Sequence, residues 1–223
     1  MKQLALVIDL NVCVGCHACV TSCKEWNTSG TAGFMADEDP FGKDPKGTFF
    51  NRVQTFEVGR FPDTETVHFP KSCLHCEDQP CVPVCPTGAS YKRESDGIVL
   101  VDSEKCIGCS YCSWACPYGA RELDEDQKIM KKCTLCVDRI YDESLPEEER
   151  KPACVLACPA EARIFGDVND PDSEAATMIR ENGGYQLMPE WGTKPANHYL
   201  PRRKADITIH EDELVRADNP LKK

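Results

Sequence analysis

The sequence predicts an α+β fold built from two small modules, with a long loop insertion and an extended C-terminal tail. The 16 cysteines among its 223 residues fall into four groups of four. The third group repeats the first at an offset of 93 residues, with Gly15 and Gly108 in the same slot, which indicates an internal duplication. The apolar runs Leu4–Ile8 and Ile98–Val101 precede these two groups and are typical of short strands. Short strands beside cysteine-rich loops are the pattern from which we predict the fold class.

Each cysteine group contains a C-x2-C pair, and none of the cysteines is left over. Groups one and three share the spacing C-x2-C-x2-C-x3-C, group two has C-x2-C-x4-C-x3-C, and group four has C-x2-C-x17-C-x3-C. In chain order, groups one to four are Cys13, Cys16, Cys19 and Cys23; Cys73, Cys76, Cys81 and Cys85; Cys106, Cys109, Cys112 and Cys116; and Cys133, Cys136, Cys154 and Cys158. Four sets of four thiols indicate four sites of the same kind.

Three kinds of cysteine chemistry could explain these groups. Disulfides need an oxidising compartment, and we expect no export signal because the first apolar run has only five residues before Asp9. Structural zinc usually takes two C-x2-C knuckles, a pattern that groups one and three lack. The spacing C-x2-C-x2-C-x3-C, with Pro117 after Cys116, is the iron–sulfur run of bacterial ferredoxins. The sequence therefore predicts two ferredoxin-like modules that hold four 4Fe–4S clusters.

The groups divide the chain into modules and additions. Groups one and four form one predicted module, residues 1–25 and 130–166, and groups two and three form the other, residues 67–129. Residues 26–66 are a predicted insertion of loop and strand, whose first part, Trp26–Phe50, is typical of a long surface loop.

The last part of the chain, residues 167–223, has few apolar residues and many charges. We expect a helix around Glu174–Asn182 and extended chain elsewhere. Such a tail rarely folds alone, so we predict a partner-binding extension that lies on a partner or on the chain's own surface.

Composition limits the function classes. Val, Ile, Leu and Phe total 45 residues, about 20% of the chain, which is low for an ordinary apolar core. We therefore expect cluster binding to supply stability that burial does not. The net charge of −11 and the absence of a basic stripe disfavour nucleic-acid binding, and no apolar run approaches the roughly 20 residues of a membrane span. No nucleophile–base pair, dinucleotide fingerprint or phosphate loop is present, so we predict electron transfer without a substrate-converting site.

The four groups, in this order and with the long gap inside group four, resemble the iron–sulfur subunits of membrane-bound molybdenum oxidoreductases. That family includes the electron-transfer subunits of dimethyl sulfoxide, polysulfide, tetrathionate and nitrate reductases and of formate dehydrogenase. The resemblance covers about residues 4–200. Its sulfite-oxidising members are similar in four further stretches: Leu4–Cys19, Trp26–Thr28, Phe49–Gln54 and Pro189–Pro195.

The resemblance implies a heterotrimer or a multimer of it. A molybdopterin-containing catalytic subunit would oxidise sulfite to sulfate, this chain would conduct electrons, and a polytopic membrane subunit would pass them to quinone. The resemblance also implies a peripheral position on the cytoplasmic face of the cytoplasmic membrane. Two alternatives stay open: the same role in a polysulfide, tetrathionate or dimethyl sulfoxide reductase, and a soluble polyferredoxin carrier.

In this family the fourth cysteine of a group crosses to the cluster of the paired group. The resemblance then implies four ligand sets: cluster I, Cys13, Cys16, Cys19 and Cys158; cluster II, Cys23, Cys133, Cys136 and Cys154; cluster III, Cys73, Cys76, Cys81 and Cys116; and cluster IV, Cys85, Cys106, Cys109 and Cys112. It places cluster I towards the molybdenum subunit and cluster IV towards quinone. Some relatives carry Trp in the slot of Cys109 and hold a three-iron centre, so this chain is expected to hold four cubanes and about 16 irons.

Side chains beside the cysteines could influence the clusters without binding iron. His75 is expected to make a contact beside a cluster rather than to act as a ligand. The adjacent Lys131 and Lys132 are either a solvated pair or cations that raise a cluster's potential. Tyr111 and Trp114 are expected to pack over a cluster and keep water out.

Overall fold

The chain folds into nine strands and five α-helices within the described residues. The structure is a computed structural model that describes residues 1–28, 33, 40–41 and 46–203. Its strands are β1 (Leu4–Asp9), β2 (Asn51–Arg60), β3 (Asp63–Ser72), β4 (Ser90–Lys92), β5 (Val99–Val101), β6 (Glu122–Asp124), β7 (Ile129–Lys131), β8 (Arg163–Asp167) and β9 (His198–Leu200). Its α-helices are α1 (Ala18–Asn27), α2 (Tyr111–Trp114), α3 (Val137–Ile140), α4 (Ala153–Leu156) and α5 (Glu174–Asn182). Short helices and small sheets confirm the predicted α+β class.

Strand β1 is the centre of a three-stranded sheet with the order β8-β1-β9. All six of its residues are buried, which explains why its sequence is a continuous apolar run rather than an alternating one. Strand β8 pairs with it antiparallel, with Leu4 opposite Asp167, and β9 pairs with it parallel, with Val7 opposite His198. The strand predicted at Leu4–Ile8 is thus confirmed.

The first part of the C-terminal tail packs on the chain itself. Helix α5 has the predicted bounds. Ser173 caps its first turn, because its Oγ accepts the Ala176 N–H at 3.1 Å, and Gly183 ends the helix in a left-handed conformation. Strand β9 then joins the central sheet, where we expected only extended chain. Residues 204–223 lie outside the described residues.

Strands β2 and β3, of ten residues each, form an antiparallel hairpin that begins within the predicted insertion and extends past its predicted end at residue 66 to Ser72. The base of the hairpin is buried at Val53 and Pro70, whereas its tip is exposed, with Phe61 92% accessible. Trp26, expected in a loop, belongs to α1. Much of the predicted loop, residues 29–32, 34–39 and 42–45, lies outside the described residues.

The duplicated cysteine loops follow the same backbone path. Gly15 and Gly108 have φ of 67° and 68°, and His17 and Ser110, which precede α1 and α2, have φ of 60° and 63°. Left-handed turns at both positions allow the loop to curve tightly and lead the third cysteine of each group into the following helix. The predicted duplication is therefore visible in the backbone.

Cysteine sulfur makes up much of the main core, beside side chains from β1 and the base of the β2–β3 hairpin. The buried cysteines of this core are Cys19, Cys23, Cys73, Cys76, Cys133 and Cys154. Within the described ranges, no helix has both the length and the apolar character needed to cross a bilayer.

Candidate iron–sulfur centres

One cavity is lined by the four cysteines expected to bind cluster I. These four cysteines are Cys13, Cys16, Cys19 and Cys158. Cys158 lies just after α4, so the fold brings the fourth cysteine of group four to the loop of group one. The cavity wall also includes the side chain of Arg163.

A second cavity is lined by the four cysteines expected to bind cluster III. These four cysteines are Cys73, Cys76, Cys81 and Cys116. Burial raises the pKa of Cys76 to about 12, and the neighbouring thiols contribute to this shift. Arg121 lines this cavity as Arg163 lines the first.

The cysteines expected to bind cluster II share a buried environment. Asn27 Nδ2 donates hydrogen bonds to the sulfur of Cys23 at 3.7 Å and to the sulfur of Cys136 at 3.5 Å. Burial raises the pKa of Cys23 well above its ordinary value, and three neighbouring thiols raise it further: Cys133, Cys154 and Cys136. The structure thus brings group one's fourth cysteine to the first three cysteines of group four.

The cysteines expected to bind cluster IV lie nearer the surface. Burial raises the pKa of the Cys112 thiol, and Cys106 lies close enough to raise it further. The sulfur of Cys106 accepts the Met130 N–H at 3.3 Å, and the sulfur of Cys85 accepts the Ser90 N–H at 3.4 Å. Among the contacts of the described part of the chain, none joins Cys85 or Cys109 to the other two.

Burial raises the pKa of eight of these thiols and so favours their protonated form: Cys13, Cys23, Cys76, Cys112, Cys116, Cys133, Cys136 and Cys154. Burial raises the pKa of Cys154 to about 11, even though Arg163 acts in the opposite direction. Cys85 differs, because hydrogen bonds from Ser90 and Thr87 lower its pKa although burial raises it. Since metal ligands must be thiolates, iron that binds these sites displaces protons.

The donor set fits 4Fe–4S clusters better than the two alternatives. All sixteen cysteines are free, so the fold contains no disulfide. Within the described ranges, no three His, Cys, Asp or Glu side chains are grouped so as to hold a single metal ion. Four thiols spread around a cavity suit a cubane, in which each cysteine binds a different iron.

Sequence reasoning missed the donors that point at cysteine sulfur. Arg121 Nη2 donates to the sulfur of Cys81 at 2.9 Å, and Arg163 Nη1 donates to the sulfur of Cys154 at 3.7 Å. A signal was present, because each arginine ends the pattern Cys-Pro-x-x-Ala-Arg after a group's fourth cysteine. Asn27 offers no comparable signal.

Other side chains near the cysteines differ from expectation. Lys132 is buried, so the two lysines are not a solvated pair, whereas Lys131 pairs with Asp124 at 2.9 Å. The expected packing of Tyr111 and Trp114 over a cluster is wrong, because they are 50% and 80% exposed. Short helix α2 carries both side chains outwards.

His75 is fully buried between two cysteines of group two. Its Nδ1 accepts the Val99 N–H at 3.1 Å, and its Nε2 has no hydrogen-bond partner among the described residues. Burial lowers its pKa well below the usual range, and nearby Lys132 lowers it further. The imidazole is therefore neutral, with its proton on Nε2.

Comparison with known protein families supports the iron–sulfur interpretation. A family model described as a 4Fe–4S dicluster domain matches residues 64–168, and a second model with the same description matches residues 12–89. The two matches overlap over residues 64–89 and together include all sixteen cysteines. They confirm the predicted ferredoxin-like domains and the four 4Fe–4S clusters.

Individual relatives extend over nearly the whole chain. The chain is 76% identical to a sulfite dehydrogenase subunit of Allochromatium vinosum over 223 residues, which cover 100% of this chain and 93% of the relative. It is 39% identical to a tetrathionate reductase subunit of Salmonella typhimurium over 92% of this chain and 75% of the relative. It is 35% identical to a putative dimethyl sulfoxide reductase iron–sulfur subunit of Halobacterium salinarum over 97% and 90% of the two chains. The chain therefore belongs to the family of iron–sulfur subunits of molybdoenzyme complexes.

Proposed function

We propose that this chain conducts electrons from a molybdopterin-containing catalytic subunit, which oxidises sulfite to sulfate, to a polytopic membrane subunit that reduces quinone. The observation that carries the proposal is 76% identity over the whole chain to a sulfite dehydrogenase subunit. When bound, each 4Fe–4S cluster supplies a centre that gains and loses one electron. The chain's own residues hold the clusters, exclude water and present two of them to partners.

We assign the cluster ligands as four crossed sets, one for each of clusters I to IV. The two cavities support sets I and III, since each is lined by three cysteines of one group and the fourth cysteine of another. The three thiols of group four that lie close enough to raise the pKa of Cys23 support set II. Set IV follows from the same crossing in the paired groups.

Burial supports an electron path whose two ends are clusters I and IV. The proposed ligands of clusters II and III are buried, apart from the half-buried Cys116. In contrast, Cys16 of cluster I is exposed, and Cys85, Cys106 and Cys109 of cluster IV are partly exposed. Two surface centres joined by two interior centres are what a conductor between two partners needs.

Exposed apolar side chains beside clusters I and IV support partner contacts there. Val14 and Ile107, which occupy the same slot of the duplicated loops, are 62% and 66% exposed. Tyr111 and Trp114 add an aromatic pair, with ring centroids 5.7 Å apart, beside cluster IV. Tyr and Trp are enriched at protein–protein interfaces, which supports a partner contact beside cluster IV.

The Cys109→Ser variant tests this path. We expect it to abolish electron transfer from sulfite to quinone in the purified complex, because cluster IV loses an iron ligand. Sulfite oxidation with a dye that accepts electrons upstream should continue in part. A variant that reduces quinone at the normal rate would contradict the proposed polarity.

Purification from native membranes tests the partners. We expect the chain to copurify with a molybdenum protein and a membrane protein, in a complex that oxidises sulfite and contains about 16 irons in this chain. Reduction of tetrathionate or dimethyl sulfoxide instead would favour the alternative enzymes, and isolation as a lone soluble chain would favour a carrier. Protease added outside intact spheroplasts should leave the chain intact if it lies on the cytoplasmic face.

A further inference from the structure

Three buried cations lie among the cysteines. The buried basic side chains of the described residues are Lys24, Arg121, Lys132 and Arg163. Lys24 lies near Glu122 and over the ring of Phe49. The other three have no carboxylate partner in any ion pair of the described residues. We call these three, Arg121, Lys132 and Arg163, the buried cations.

Arg163 lies between the proposed sites of clusters I and II. Its side chain lines the cavity of cluster I, and its Nη1 donates to Cys154 of cluster II. Its Nη2 is held by Asn51 Oδ1 at 2.7 Å, which fixes the guanidinium in place. Burial opposes its charge, yet Cys19 of cluster I and Cys154 of cluster II keep the pKa of Arg163 above its ordinary value.

Arg121 occupies the equivalent place between clusters III and IV. Its Nη2 donates to Cys81 of cluster III at 2.9 Å and to the hydroxyl of Ser90 at 2.8 Å. Burial opposes the charge of Arg121, yet nearby cysteines that include Cys112 of cluster IV keep its pKa above the ordinary value. Its Nη1 is buried without a partner among the described residues, which leaves an N–H available to donate to a bound cluster.

Lys132 lies at the junction of clusters II and III. Its Nζ donates to the carbonyl of Cys133, a proposed ligand of cluster II, at 2.6 Å, and also to the carbonyl of Val99. Burial raises the pKa of Cys133, and Cys73, a proposed ligand of cluster III, lies close enough to raise it further. The neutral imidazole of His75, which follows Leu74 in group two, accepts the N–H of the same Val99.

A buried cation without a counter-ion is strongly unfavourable, so anions must lie close to these three side chains. Within the described part of the chain, the candidates beside them are cysteine thiolates and the clusters that these bind. An oxidised cubane with four thiolates carries a net charge of −2, and the added electron makes it −3. A fixed cation therefore stabilises the reduced form more than the oxidised form, and low internal polarity strengthens this effect.

We propose that each gap along the path holds one potential-setting cation: Arg163 between clusters I and II, Lys132 between clusters II and III, and Arg121 between clusters III and IV. The assignment rests on the ligand sets of the proposed function. Each cation raises the reduction potentials of both neighbouring clusters. It also weakens the repulsion that an electron on one cluster exerts on the next.

Redox titration of the purified complex, followed by electron paramagnetic resonance, tests this proposal. Arg163→Gln should lower the potentials of clusters I and II only, Lys132→Met those of clusters II and III, and Arg121→Gln those of clusters III and IV. Arg163→Lys and Lys132→Arg keep the charge and should titrate close to wild type. Unchanged potentials, or a shift of all four clusters in every variant, would overturn the proposal.

Lys105→Met is the matched control. Lys105 directly precedes Cys106 as Lys132 precedes Cys133, but it is 63% exposed and pairs with Asp102 at 2.8 Å. Water screens such a charge, so its removal should leave all four potentials unchanged. A shift as large as that of Lys132→Met would show that burial between clusters does not matter.

Iron content separates this proposal from the proposed function. A wild-type complex with clearly fewer than about 16 irons in this chain would refute the ligand sets. Full iron content with unchanged potentials in the neutral variants, Arg163→Gln, Lys132→Met and Arg121→Gln, would refute only the role of the cations. Neutral variants that lose iron while Arg→Lys variants keep it would support a requirement for charge. If the Arg→Lys variants lose iron as well, packing rather than charge explains these residues.

Discussion

Single residues shape the duplicated cysteine loops. A Cβ added to Gly108 would lie 2.3 Å from the backbone oxygen of Lys128, whereas one added to Gly119, which also has positive φ, would meet nothing within 4 Å. Left-handed backbone costs a residue with Cβ about 1–2 kcal/mol. We expect Gly119→Ala to lower the free energy of unfolding of the iron-loaded chain by about 1 kcal/mol and Gly108→Ala by more than about 2 kcal/mol. Equal losses in denaturant titrations would contradict the close approach at Gly108.

Cysteine protonation gives the iron sites a pH dependence. The pKa values of Cys76 and Cys154, about 12 and 11, exceed the ordinary thiol value, so released ligands take up protons at any pH below these values. Protons then compete with iron for sulfur, and iron loss is favoured as the pH falls. We expect transfer of iron to a chelator to be more extensive at pH 6 than at pH 9. The opposite trend would show that the thiols do not reprotonate on release.

At the scale of elements, local signals predict some segments and miss others. The apolar run of β1 and the capped helix α5 are visible in the sequence because their causes, continuous burial and terminal capping, are local. Strand β9 is not visible, since three residues become a strand only by pairing with β1, nearly 200 positions away. Burial of Lys132 is equally hidden, because the neighbouring Lys131 has the same residue type and a different environment.

Strand β9 makes the first part of the tail a component of the fold. Tyr199 is fully buried, stacks on Phe69 at 4.6 Å between ring centroids, and donates from its hydroxyl to the Pro70 carbonyl at 2.9 Å. We expect Tyr199→Ala to lower the free energy of unfolding by about 3–5 kcal/mol and Tyr199→Phe, which keeps the ring, by about 1 kcal/mol. Thermal unfolding of both variants in the iron-loaded state measures the difference. An unchanged Tyr199→Ala variant would mean that β9 is dispensable.

At the scale of the whole molecule, the clusters and the fold depend on each other. The chain carries a net charge of −11, in which the three buried cations are already counted, and four oxidised cubanes add about −8, so the loaded chain stays strongly negative. Cys19, Cys23 and other ligands occupy the main core, where an ordinary domain would have larger apolar side chains. Without iron these positions are buried thiols around cavities, which pack less well than a filled core.

The last prediction follows from this dependence. Expressed without cluster assembly, the chain should be insoluble, or soluble without a cooperative thermal transition. Strong core-forming residues make up only about 20% of the chain, so they cannot supply the stability that iron ligation provides. Reconstitution with iron and sulfide under reducing conditions should restore native circular dichroism and a single unfolding transition. Zinc is the matched control, since it binds thiolates but cannot form the cubane, and it should not restore that transition. An iron-free chain that melts cooperatively would show that β1, the hairpin and α5 alone hold the fold, with the clusters as additions to it.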